Sequence, residues 1–174
     1  MNQVIFETLG ASEVWDKATD GLLALVFVVL AVFALMGLKQ WINRKSLFKV
    51  DRELLIMIPV LAVMSVIYFV FDKLWIVTTC PIDATKPSFP SSHVMVATTI
   101  LMLVMIALPK YVKNRRVRVV FDVLACVVIA LMAFGRVASG MHWFTDVLFG
   151  LTFGVMLGLV YKLIIRRKKD EQRV

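Results

Sequence analysis

Five long apolar runs leave this chain few ways to fold. They extend from about Gly21 to Trp41, Leu54 to Phe71, Ser92 to Leu108, Val117 to Phe134 and Trp143 to Ile165. Each has the roughly 17 to 25 residues that carry an α-helix across the hydrocarbon of a bilayer. No water is available there, so every backbone N–H and C=O must be satisfied within the segment, and an open sheet with unpaired edges is excluded. The expected fold is all-α: a polytopic membrane helix bundle of five crossings, one domain over residues 1–174, with its termini on opposite sides. Hydrophobic residues make up 60% of the chain and charged residues 18%, a balance that a soluble domain of 174 residues cannot bury. Pro59 predicts a kink in the second span, and Pro109 marks the end of the third.

Ahead of the first span, residues 1–20 carry Glu7, Glu13, Asp16 and Asp20 against Lys17, without the basic start and apolar stretch of a signal peptide. Val4, Ile5, Phe6, Leu9, Val14 and Trp15 suit a short helix in the membrane interface with Trp15 at headgroup depth, or else a frayed polar end.

The net charge of +8 would suggest nucleic acid in a soluble protein, but here the charge sits at the ends of apolar segments. No nucleic-acid partner is expected; the partner this pattern implies is the bilayer. Lys39, Arg44, Lys45, Lys49 and Arg52 lie between spans one and two, and Lys110, Lys113, Arg115, Arg116 and Arg118 between three and four. The tail adds Lys162, Arg166, Arg167, Lys168, Lys169 and Arg173. The positive-inside rule makes that side cytoplasmic, so the C-terminus is expected in the cytoplasm and the N-terminus outside, in a plasma or inner membrane. The opposite side keeps only Lys17, Lys73, Lys86 and Arg136, together with both histidines, His93 and His142. Arg118 and Asp122, four apart, are expected to pair. No charge falls at a bilayer midplane, which argues against a proton-coupled transporter or an ion channel. Cys80 and Cys126 have neither a disulfide framework nor metal-ligand spacing.

On that sparsely charged side, Gly135 to Asp146 reads Gly-Arg-Val-Ala-Ser-Gly-Met-His-Trp-Phe-Thr-Asp. His142 and Asp146 are four apart, a spacing that puts them on one helix face, where a carboxylate can hold an imidazole. Pro90-Ser91-Ser92-His93 opens the third span, and a helix start with proline, serine and free backbone donors suits an anion. With Lys73, Lys86 and Arg136 nearby in the loops, the natural ligand is a phosphate. Two histidines beside one phosphate invite a nucleophile and an acid.

These residues resemble the type 2 phosphatidate phosphatase superfamily over about Lys73 to Gly150. Its signatures are a lysine, six residues, then Arg-Pro; Pro-Ser-Gly-His; and Ser-Arg, five residues, His, three residues, Asp. Pro90-Ser91-Ser92-His93 answers the second, and Gly135-Arg136 with His142 and Asp146 answers the third. Three positions depart. Counting from Lys73 leads to Cys80-Pro81, so the first arginine is missing and Lys86 is the cation available to substitute; Ser92 replaces a glycine; Gly135 replaces a serine.

The resemblance implies a metal-independent lipid phosphatase without a cofactor. His142 would attack phosphorus to form a phosphohistidine, held in its tautomer by Asp146, while His93 would protonate the leaving oxygen and then activate water. Lys73, Arg136 and the amides around Ser91 and Ser92 would neutralise the phosphate oxygens. His93, His142 and Asp146 are also acceptable zinc ligands, but two cations converging there would repel a metal. Gly150, Gly154 and Gly158, spaced by four, predict a close helix approach that buries the face bearing the catalytic pair. A site at the outer surface, flanked by spans, suits a lipid phosphate or pyrophosphate that keeps its chain in the bilayer. In size and single-domain build the chain is similar to the undecaprenyl pyrophosphate phosphatases of bacterial wall recycling, with phosphatidylglycerol phosphate, phosphatidic acid and lipid A phosphate as other substrates. The missing arginine leaves a second function open, a non-catalytic, flippase-like lipid-phosphate binder.

Overall fold

The computed structural model describes residues 1–9 and 11–171, with side chains as far as Arg167. Six α-helices are formed: α1 (Asn2–Leu9), α2 (Glu13–Arg44), α3 (Arg52–Phe69), α4 (Ser92–Tyr111), α5 (Arg115–Ala138) and α6 (Phe144–Glu171). The last five are long and apolar enough to cross a membrane. A two-stranded antiparallel hairpin, β1 (Thr79–Cys80) and β2 (Asp83–Pro87), fills the connection between α3 and α4, with Cys80 opposite Asp83. From the sequence alone this connection is a loop. A pair of strands this short escapes a pattern search, and it lies outside the hydrocarbon, where its edges can meet water.

Helix α4 is the axis of the bundle. Its most apolar stretch is 61% buried, against 11 to 28% for the other spans. A helix that is apolar all round belongs inside. On one side of it lie Phe33 of α2, Leu54, Met57, Val60 and Met64 of α3, and Leu157 and Tyr161 of α6. On the other side lie Val26 of α2, Ala125 and Met132 of α5, and Val147 of α6. The glycine row predicted on α6 is the seam with α4. A methyl group at Gly150 would come within 2.8 Å of the Ser91 carbonyl, and one at Gly154 within 2.6 Å of Thr98 Cβ.

Because the connections are short, the chain reverses at each one and gathers alternate helix ends. One end of the bundle holds the start of α2, the end of α3, the start of α4, the end of α5 and the start of α6. The opposite end is tied by polar bonds. Gln40 Nε2 donates to Asp51 Oδ2 at 2.8 Å, Asp51 N donates to Gln40 Oε1 at 2.8 Å, and Tyr161 OH donates to the Glu53 carbonyl at 2.9 Å. Burial alone would raise the Asp51 pKa, but the bond from Gln40, the charge of Lys110 and the bond from Arg44 outweigh it and hold the carboxyl below its ordinary value. The basic residues assigned to the cytoplasmic side lie toward this end; the side chains of Lys168 and Lys169, and all of Arg173, lie outside the described residues.

Several local expectations change. Helix α3 contains Pro59 and ends in a π-helical turn, Val70–Leu74. Helix α4 continues two residues past Pro109, because a proline removes only its own amide and Val112 N still donates to the Leu108 carbonyl at 2.9 Å. The Arg118–Asp122 pair does not form. Among the described residues neither joins an ion pair, and Arg118 Nε and Asp122 Oδ1 lack hydrogen-bond partners. At the N-terminus, α1 is neither frayed nor solitary. Asn2 Nδ2 donates to Thr145 Oγ1 at 3.0 Å, and the Phe6 ring lies 6.0 Å from that of Trp143. Trp15 belongs to the first turn of α2, where it meets Phe134 edge to face at 5.1 Å.

Candidate active site

The loop after α5 turns at Gly140, whose φ of +70° favours glycine, and whose surroundings leave no room for a side chain between Phe6, Ala11 and Ile82. That turn sets His142 immediately before α6. His142 Nδ1 donates to the backbone carbonyl of Ser88 at 2.8 Å, which fixes the proton on Nδ1 and leaves Nε2 with its lone pair. Burial first, and then the charges of Arg136 and His93, push its pKa down to about 3, against the Ser88 bond, which works the other way. The imidazole is therefore neutral at physiological pH, as an attacking nitrogen must be. Arg136 near the end of α5, whose carbonyl accepts from His142 N at 3.3 Å, and His93 at the start of α4 lie at the same end of the bundle.

Asp146 does something other than hold His142. Its Oδ2 accepts from Trp143 N at 3.1 Å, the third helical residue reaching back to cap its own helix start, and its Oδ1 accepts from Thr78 Oγ1 at 3.0 Å. Thr78 Oγ1 in turn lies 3.1 Å from Ser88 Oγ. Asp146 is fully buried, and it reaches the imidazole through the Thr78 and Ser88 segment. The expected direct carboxylate–imidazole bond is absent because the single N–H of the neutral ring, on Nδ1, is donated to the Ser88 carbonyl. Thr78 and Ser88 were missed in the sequence, since lone hydroxyl residues in a loop carry no pattern.

The phosphate cradle also differs from the expected one. Ser91 N–H is already donated to the Asp146 carbonyl at 3.0 Å, so it is not a free amide, and Ser91 Oγ is buried without a partner. Ser92 opens α4 and lines a narrow pocket with His142, Ser88, Phe89, Tyr68 and Asp72, whose 20 Å³ holds about one water molecule. Lys73 sits in the π-helical turn, largely exposed, with Nζ 2.8 Å from Asp72 Oδ2. Lys86 lies on β2 and pairs at 3.0 Å with Asp83, whose pKa falls to about 2 through the Thr85 hydroxyl first and Lys86 next. Cys80, where the resemblance calls for arginine, is buried under the Gly140 turn with Sγ 3.7 Å from its carbonyl. It anchors the hairpin, and the hairpin turns Lys86 toward Asp83.

The residues that sequence reasoning missed most plainly are on α2. That helix starts eight residues before Gly21, so Asp16, Thr19 and Asp20 stand on its first turns, inside the site. Arg136 Nη1 donates to Asp16 Oδ1 at 2.7 Å and to Thr19 Oγ1 at 3.2 Å. His93 Nε2 meets Asp20 Oδ1 at 2.9 Å. The available signal was a pair of acids four apart just ahead of an apolar run. The described residues hold no group of three or more His, Cys, Asp or Glu side chains placed to share a metal.

A family model for the PAP2 superfamily matches residues 21–170, a stretch that covers nearly the whole bundle and includes the signature positions. The chain belongs to the PAP2 superfamily. Among curated proteins, a Lipid A 1-diphosphate synthase of Escherichia coli (strain K12) is 30% identical over 82 residues, which are 47% of this chain and 31% of that protein. The match thus spans less than a third of that relative's length. Among solved structures, a transmembrane PAP2 type phosphatidylglycerolphosphate phosphatase from Bacillus subtilis superposes with a TM-score of 0.70 at 19% identity, covering 95% of this chain and 85% of that one. That likeness establishes the fold, an all-α multi-pass membrane bundle.

Proposed function

We propose that this PAP2 member is an integral membrane phosphatase that hydrolyses a lipid phosphate or pyrophosphate monoester at the extracytoplasmic face, through a phosphohistidine on His142. The observation that carries the reading is His142 itself: a buried imidazole whose Nδ1 is fixed by Ser88, leaving Nε2 to attack, at the same end of the bundle as His93 and Arg136. In the first step Nε2 bonds to phosphorus and the bond to the lipid oxygen breaks, with His93 giving that oxygen a proton. In the second, His93 takes a proton from water, the new P–O bond forms, and the N–P bond breaks. Arg136 faces the oxygens as charge moves onto the leaving group. Asp146 acts as a positioning residue through Thr78 and Ser88.

By their names, one relative makes lipid A 1-diphosphate and the other is a phosphatase of phosphatidylglycerolphosphate, and what these share is a phosphate carried by a membrane lipid. Undecaprenyl pyrophosphate is the specific substrate we favour, on the similarity of size and single-domain build. The test is phosphate release by purified protein from a panel of lipid phosphates, with and without a strong chelator, for the wild type and His142→Ala. Release that survives the chelator and disappears in His142→Ala supports the reading. Lipid binding without release, with His142→Ala changing only affinity, overturns it in favour of a non-catalytic binder, a reading to which the loss of the Cys80 arginine lends weight.

A further inference from the structure

The start of α2 brings a carboxylate to each basic group at the heart of the site. Asp16 meets Arg136 and Asp20 meets His93. This approach depends on Gly135: a methyl group there would come within 2.5 Å of Thr19 Cγ2 and 3.0 Å of the Trp15 ring. Thr19 cannot swing aside at no cost, since its hydroxyl is bonded to the Asp16 carbonyl at 2.8 Å and receives Arg136. The position where this chain departs from the family's serine is therefore the position that lets α2 close on the site.

The two bonds leave the groups in different states. Arg136 stays a cation whichever oxygen it faces. His93 gains a direction. An ionised carboxylate can only accept, so the bond to Asp20 puts a proton on Nε2 and makes Nδ1 the ring nitrogen that gains and loses a proton. Nδ1 lies 3.5 Å from Ser92 Oγ, and Ser92 lines the same pocket as His142. The exchangeable nitrogen is thus on the Ser92 side of the ring. Asp20 is largely exposed, so its removal leaves the packing of the bundle in place.

Resting on the phosphatase reading, we propose that Asp20 is a positioning residue for the proton-transfer step: it holds His93 through Nε2 so that Nδ1 donates to the leaving oxygen and later accepts from water. No atom of Asp20 touches phosphate in this scheme. Its loss therefore harms substrates according to how badly their leaving group needs a proton.

The experiment compares wild type, Asp20→Ala and Asp20→Glu on phosphatidic acid in detergent micelles and on p-nitrophenyl phosphate, whose nitrophenolate departs without a proton. In Asp20→Ala the expected kcat on phosphatidic acid falls about 10- to 100-fold with KM changed by less than about threefold, and nitrophenol release in the first turnover stays within about threefold of wild type. Asp20→Glu recovers part of the loss. Unchanged kcat on phosphatidic acid overturns the role, as does an equal fall on both substrates with a rise in KM, which is the mark of a merely structural contact. A gain in activity overturns it too, making Asp20 a competitor of the substrate's phosphate. A wild type silent on these two and on the panel of lipid phosphates, undecaprenyl pyrophosphate included, overturns the phosphatase reading itself and this inference with it.

Discussion

His142 joins two properties that water would keep apart: it is neutral at low pH and it stands beside a cation. Burial provides the first, and the carbonyl of Ser88 orients the ring despite the second. The unfolded chain, with a histidine near its ordinary value of about 6.5, takes up a proton at higher pH than the folded one does. This contribution to stability is complete above that pH and is lost as pH falls toward 3, at up to about 1.4 kcal/mol per pH unit. His142→Gln is expected to flatten the dependence of unfolding on pH between 6.5 and 4 in detergent, and to abolish phosphate release. A slope equal to wild type would refute the burial argument. Cys80 makes the converse point. Restoring the family's arginine there, Cys80→Arg, places a charge in a buried site beneath the Gly140 turn, and is expected to lower stability by on the order of 3 kcal/mol or more without raising activity. Thermal unfolding alongside a release assay checks both halves.

Elements meet the site through two contacts of different character. The α4–α6 seam is rigid: Gly150 lies against the backbone of Ser91, so a methyl group has nowhere to go except by moving a helix. Gly150→Ala is expected to cost about 1 to 3 kcal/mol and to displace the Ser91–Asp146 bond, lowering kcat as well. A variant with wild-type melting and turnover would show that the seam yields. The hairpin contact is polar. Thr78 and Ser88 connect it to Asp146 and His142, so Thr78→Val, which removes a donor from a buried carboxylate, is expected to cost about 1 to 3 kcal/mol and to loosen the His142 ring. The signature would be slower phosphoenzyme formation at unchanged substrate affinity.

At the scale of the whole molecule, five crossings bring both histidines, Arg136 and the acids of α2 to one end, and the Asp51 network to the other. Orientation then decides which compartment the chemistry faces. Cysteines placed at Asp83 on the hairpin and at Lys113 between α4 and α5 provide a direct test in a background without Cys80 and Cys126. A membrane-impermeant maleimide is expected to label Asp83→Cys in intact cells and Lys113→Cys only after permeabilisation. The opposite pattern would put the site in the cytoplasm. The bundle was legible in the chain because bilayer thickness sets span length and the hydrocarbon forbids unpaired backbone, so apolar runs alone reveal helices. The glycine row was legible for a similar reason, since spacing by four fixes a helix face.

What the sequence determined by itself is the set of spans, the family signatures and the identity of the two histidines, all of them local patterns or matters of length. Which oxygen holds which nitrogen was decided only by the tertiary structure. Asp146 and His142 share a helix-like spacing, yet the ring gives its N–H to the Ser88 carbonyl while the carboxylate caps α6 and accepts from Thr78. Asp20 and His93 stand 73 residues apart and meet because α2 and α4 both start at this end of the bundle and Gly135 of α5 lets α2 close in. Hydrogen bonds form between the groups that packing brings within 3 Å, and packing depends on every helix at once.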